Sequence, residues 1–189
     1  MDETFIKKIG KISLYVVQGD ITQIPTDAIM TAINSKGAWY GGVDRAIQRV
    51  AGNQYHSRAS EAMPLSDLQT VIAKGDASKH GGKFNDVVFV VDDLESSLDK
   101  VVYAGLEAAH KEGYGQLLIP AMRTGKVTEI IEELPSAMKI VAKEKIIGKT
   151  PEETIARLSQ GIERFMHDYE NQTKLENLTI VLYKDLNSR

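Results

Sequence analysis

The chain has 189 residues, 23 Lys plus Arg against 26 Asp plus Glu, and a formal net charge of −3. That length suits one domain, and 42% hydrophobic with 26% charged residues is ordinary globular usage, which excludes a wholly disordered chain. Cys is absent, which excludes disulfides, a thiol nucleophile and thiolate metal sites. The mild acidity argues against a dedicated nucleic-acid binder, which usually carries a basic face. No run approaches the ~20 apolar residues of a membrane span, and the opening Met1-Asp2-Glu3-Thr4-Phe5-Ile6-Lys7-Lys8 lacks the apolar core of a signal peptide. The expected compartment is the cytosol, with no membrane partner.

In chain order, residues 12–17 and 28–33 read as strands. Val43, Ile47 and Val50 recur at helical spacing, and residues 53–63 form a second helix stopped by Pro64. The β-branched runs 70–73 and 87–91 are strands. Residues 96–110 are a helix burying Leu98, Val101, Val102, Leu106 and Ala109, ended at Gly113. Residues 116–119 are a short strand before Pro120. Thr150-Pro151-Glu152-Glu153 carries a capping box with Pro at the first helical position, so a helix runs from there to about Tyr169. Residues 178–183 are the closing strand. Strands alternating with helices predict an α/β fold around a largely parallel sheet.

In such sheets ligands sit at the carboxyl ends of strands. Three loops leave such ends: Gly19-Asp20-Ile21-Thr22, residues 34–43, and residues 120–127. In the second, Gly41 and Gly42 allow close backbone approach, and a helix starting near Val43 aims free N–H groups at an anion. Asp44 lies in its first turn, where a carboxylate is favourable on dipole grounds alone. The third holds Arg123-Thr124-Gly125-Lys126, donors suited to phosphate. Gly148-Lys149-Thr150 fails as a P-loop because Lys143 occupies the required earlier Gly position. His56, His80, His110 and His167 show no paired ligand spacing, so no metal site is expected. No cofactor is expected either.

Four motifs in register resemble the macrodomain family, the ADP-ribose-binding module. They are Gly19-Asp20-Ile21-Thr22, like G-D-I-T; Asp27-Ala28-Ile29-Met30-Thr31-Ala32-Ile33-Asn34, like D-A-I-V-N-A-A-N; Gly41-Gly42-Val43-Asp44-Arg45-Ala46-Ile47, like a glycine run followed by V-D-x-A-I; and Pro120-Ala121-Met122-Arg123-Thr124-Gly125, like P-A-I-S-T-G. The resemblance implies a three-layer α/β/α fold with a mixed, mainly parallel sheet, as a single domain over 1–189. Residues from about 127 to 149 read as a helical insertion, broken near Pro135.

It also implies roles. Asp20 would accept from the adenine amino group, with the Ile21 backbone beside it. Asn34 would contact the distal ribose. Gly41, Gly42 and Val43 would line the diphosphate and distal ribose, and Arg123, Thr124, Gly125, Lys126 and Val127 would wrap the diphosphate from the other side. Some family members only bind; others hydrolyse an ADP-ribosyl ester, O-acetyl-ADP-ribose or ADP-ribose 1″-phosphate. In those hydrolases two Asn and the Asp of the V-D motif are implicated. Here Asn34 and Asp44 match the second Asn and the Asp, while Thr31 stands at the first Asn position. Gln48 stands where some members have His, and Val127 where an aromatic residue is usual. The partner implied is ADP-ribose or an ADP-ribosylated substrate. The sequence leaves open an ester or phosphate hydrolase, a non-catalytic reader, and a scaffold acting through protein or nucleic-acid contacts. It specifies no oligomeric state.

Overall fold

The computed structural model describes residues 3–124, 131–142 and 151–183. Gly125, Lys126 and Val127, the capping Thr150 and both flanks of the expected insertion lie outside the described residues. The elements are β1 (Thr4–Ile9), β2 (Ile12–Gly19), β3 (Thr26–Ile33), α1 (Gly42–Ala51), α2 (Gln54–Glu61), β4 (Thr70–Ala73), β5 (Phe84–Val91), α3 (Leu98–Glu112), β6 (Gln116–Pro120), α4 (Ser136–Ala142), α5 (Pro151–Tyr169) and β7 (Asn177–Tyr183). Among the described residues, no helix is long and apolar enough to cross a membrane.

The seven strands form one sheet in the order β1-β2-β7-β6-β3-β5-β4. The pairs β2·β7, β7·β6, β6·β3 and β3·β5 are parallel. Both edge pairs, β1·β2 and β4·β5, are antiparallel. Strand side chains alternate between faces, so each central strand feeds two cores. On β5, Val88 and Val90 pack with α3 and α5, while Val87, Phe89 and Val91 pack with Ile47 of α1 and Tyr55 and Ala59 of α2. Burial on both faces explains why these strands are near-continuous apolar runs. The result is the three-layer α/β/α architecture that the resemblance implied.

β1 is the strand that the hydrophobic pattern does not announce. It is exposed until Ile9 and carries Lys7 and Lys8, suited to an unpaired edge. Gly113 ends α3 in the left-handed region, its N–H closing onto Ala109 and His110 carbonyls. On α5, Gly161 allows a close approach: a Cβ there would lie 2.4 Å from the Asp99 carbonyl oxygen of α3.

Candidate functional site

Four parallel strands end together, and a cavity of about 440 Å³ opens over their carboxyl ends. Its floor is Gly19 of β2, Thr31 and Ala32 of β3, Pro120 of β6 and Val181 of β7. One wall is Tyr40, Gly41 and Gly42 with the first turn of α1; the opposite wall is formed by residues 121–124. Gly41 has φ 121 and ψ −99, a conformation that side chains disfavour. The N-cap of α1 is Gly41, which has no side chain to cap the first-turn N–H groups, and Gly42, Val43 and Asp44 of that turn line the cavity. That is the arrangement that suits an anion.

Asp44 is 3% exposed and lines the cavity. Its Oδ1 accepts from His56 Nε2 at 2.8 Å and from Thr31 Oγ1 at 3.3 Å. His56, on α2, is itself buried, with the Trp39 ring 4.9 Å away and the Phe89 ring 5.1 Å away, centre to centre. Trp39 therefore packs on the α2 side of the loop.

Asp20 sits between two residues that line the cavity, Gly19 and Ile21. Its Oδ1 caps the short turn Ile21–Gln23, accepting from Thr22 N at 2.9 Å and Thr22 Oγ1 at 2.7 Å. Its Oδ2 pairs with Arg49 at 3.1 Å. Asn34 ties its own loop: Oδ1 accepts from the N–H groups of Lys36 at 3.0 Å and Ala38 at 2.8 Å. The Asn34 side chain thus organises residues 34–38, and Asn34 is not one of the cavity-lining residues.

Arg123 lines the cavity at a positive φ of 61, but its guanidinium turns onto Asp92. Nε donates to Asp92 Oδ2 at 2.9 Å and Nη2 to Asp92 Oδ1 at 2.8 Å, with both side chains almost wholly buried. Arg123 also donates to the Ser96 carbonyl. Thr124 Oγ1 donates to the Ala121 carbonyl at 2.8 Å. Tyr40 donates to the Asp92 carbonyl, and burial, helped by the Asp92 and Asp93 charges, raises its phenol far above the usual range. It therefore stays a hydrogen-bond donor in the wall.

The structure brings Ile21, Gly41, Gly42, Val43, Asp44, Arg123 and Thr124 to one cavity. Sequence reasoning missed His56 and Asp92. Nothing local marks His56 as a partner of Asp44. Asp92 carried one signal, an acid directly after the apolar strand 87–91, at a strand's carboxyl end.

The fold and the site define an α/β/α domain with a cavity at the carboxyl ends of its parallel strands. No family model matches the chain. Over 133 residues it is 32% identical to the O-acetyl-ADP-ribose deacetylase of Cronobacter turicensis, covering 61% of this chain and 69% of that protein. Over 161 residues it is 27% identical to the ADP-ribose glycohydrolase of Archaeoglobus fulgidus, covering 74% of this chain and 84% of that one. The solved structure of an Oceanobacillus iheyensis macrodomain mutant superposes with a TM-score of 0.69 at 19% identity, over 98% of this chain and 91% of that one. The chain belongs to the macrodomain family.

Proposed function

We propose that this protein binds ADP-ribose or a derivative of it and hydrolyses an ADP-ribosyl ester or phosphate, as de-ADP-ribosylation or ADP-ribose 1″-phosphate processing. One observation carries the hydrolytic part. Asp44 is buried at the start of α1, held on Oδ1 by two donors, and in contact with the cavity. In this reading Asp20 takes the adenine end, the Gly41 to Val43 backbone takes the diphosphate and distal ribose, and residues 123–127 contact the diphosphate from the other side. Asp44 orients a water against the ester and accepts its proton as the new C–O bond forms. Asp44 returns that proton to the ribose oxygen, which leaves as a hydroxyl when the old bond breaks. The ester chemistry is supported by the name of the Cronobacter relative; the phosphate alternative rests on the sequence resemblance alone. The domain is taken to span 1–189 with the insertion at 127–149, and the cytosolic placement rests on the sequence pattern.

A non-catalytic reader is the second function, favoured by Asn34. Both donors on its amide oxygen come from its own loop, so that oxygen is already engaged.

Calorimetric titration with ADP-ribose, paired with turnover of O-acetyl-ADP-ribose and ADP-ribose 1″-phosphate, tests the proposal. Wild type binds and turns over at least one substrate. Asp20→Ala weakens binding. Asp44→Ala keeps binding and loses turnover by about 100-fold or more, and Asn34→Ala lowers it with the fold intact. Binding without turnover selects the reader; no binding by folded wild type rejects both.

A further inference from the structure

His56 is a buried polar residue whose ring hydrogen-bonds a single partner among the described residues. Nε2 contacts Asp44 Oδ1 at 2.8 Å, and because an ionised carboxylate only accepts, Nε2–H is the donor. The other ring nitrogen, Nδ1, is buried and has no hydrogen-bond partner among the described residues. An unsatisfied buried polar atom is costly. A phenyl ring would fill the same slot between Trp39 and Phe89 without that cost. Packing alone therefore does not account for an imidazole here; the donor to Asp44 does.

The two donors on Asp44 are unequal. Thr31 Oγ1 lies at 3.3 Å, near the limit for a hydroxyl donor, while His56 lies at 2.8 Å. Both converge on Oδ1, and no protein hydrogen bond holds Oδ2 among the described residues. The carboxylate is clamped by one oxygen and leaves the other for a donor in the cavity. His56 itself is not one of the cavity-lining residues, so it reaches substrate only through Asp44.

We infer that His56 is a positioning residue: its Nε2–H sets the orientation of the Asp44 carboxylate, and the tilted Trp39 ring packed against the imidazole holds it in place in turn. The inference rests on the hydrolase reading above. Trp39 belongs to the same loop as Tyr40 and Gly41, so the wall beside the anion-accepting backbone and the clamp on the carboxylate are built as one unit. Displacing a reacting group by about 1 Å costs on the order of 100-fold in rate.

The test uses the full chain with His56→Phe, which keeps a ring between Trp39 and Phe89 and removes the donor, and His56→Gln, which restores an N–H. His56→Phe lowers kcat by about 10- to 100-fold, leaving KM and the ADP-ribose Kd unchanged; His56→Gln recovers most of the loss. Wild-type kcat in His56→Phe overturns the inference. So does a parallel loss of affinity and kcat, which marks a structural role, or a folded His56→Gln with no recovery. A second readout does not need turnover. By NMR, the His56 Nε2–H proton of wild type is protected from exchange and shifted downfield, and it moves upfield in Asp44→Asn. If that signal is missing or insensitive to Asp44→Asn, the inference fails. Wild type that binds ADP-ribose without hydrolysing any ester or phosphate, yet shows this signal, overturns the hydrolase reading and leaves the clamp supported.

Discussion

Removing the Asp92 carboxylate takes the bidentate partner from a buried guanidinium. The Arg123 side chain is 0% exposed and that of Asp92 2%, and two bonds of 2.9 and 2.8 Å join them side by side. Asp92 Oδ1 also accepts from Leu94 N at 3.0 Å, so one substitution breaks the pair and a turn. Breaking a buried pair by deleting one partner costs about 3–5 kcal/mol, mostly from the charge left behind. For a domain of this size each kcal/mol moves Tm by about 2–4 °C, so Asp92→Ala lowers Tm by roughly 6–20 °C. Urea unfolding followed by circular dichroism reads the loss as a shift in midpoint at unchanged slope. The double variant Asp92→Ala/Arg123→Met removes both charges of the pair and recovers most of the stability, because apolar replacement of a buried pair is often close to neutral. A loss below about 1 kcal/mol in Asp92→Ala, the range of exposed pairs, refutes the reasoning, as does a double variant no better than the single one.

Arg49→Ala frees Asp20 Oδ2; the pair is 60% and 22% exposed, so stability changes by less than about 0.5 kcal/mol. ADP-ribose binding tightens by about 1.5- to 5-fold, the equivalent of an exposed pair, and weaker binding in the calorimeter contradicts the proposed contact of adenine with Asp20. Gly161→Ala sets a Cβ 2.4 Å from the Asp99 carbonyl oxygen and 2.4 Å from Val102 Cγ1. Overpacking costs about 1–3 kcal/mol, more than the helix-propensity gain of about 1, so thermal denaturation shows a lower Tm; a rise means that α3 and α5 have room to part. Burial lowers the His80 pKa below its ordinary 6.5, against the opposing pull of Asp76. The unfolded chain then takes up the proton more readily, so this stability is complete above pH 6.5 and is lost as pH falls through the lower folded value. Urea midpoints measured from pH 7 down to 5 fall less steeply in His80→Gln than in wild type; identical slopes contradict the assignment.

What could be read from the sequence alone was local. The apolar run 87–91, the helix stop at Gly113, and Gly41-Gly42 before a first-turn Asp44 depend on neighbours a few residues away. Period and turn chemistry report such neighbours directly. The order of the motifs carried the family and, with it, the layered fold. The edge strand β1 escaped because an exposed strand carries no burial pattern to read. The partners inside the site were decided by tertiary structure. Asp92 follows β5 and Arg123 follows β6, with β3 between those strands, so their pairing exists only once the sheet order is set. His56 meets Asp44 because α2 folds back beside α1 over the same sheet face, at a separation of 12 residues that no helical period encodes. The Asn34 side chain turned inward to its own loop, a choice settled by which backbone N–H groups lay within reach. Buried polar groups take the partners that folding brings to them, since an unpaired one is costly. The sequence names which residues can donate and accept; the packing of distant segments determines which of them meet.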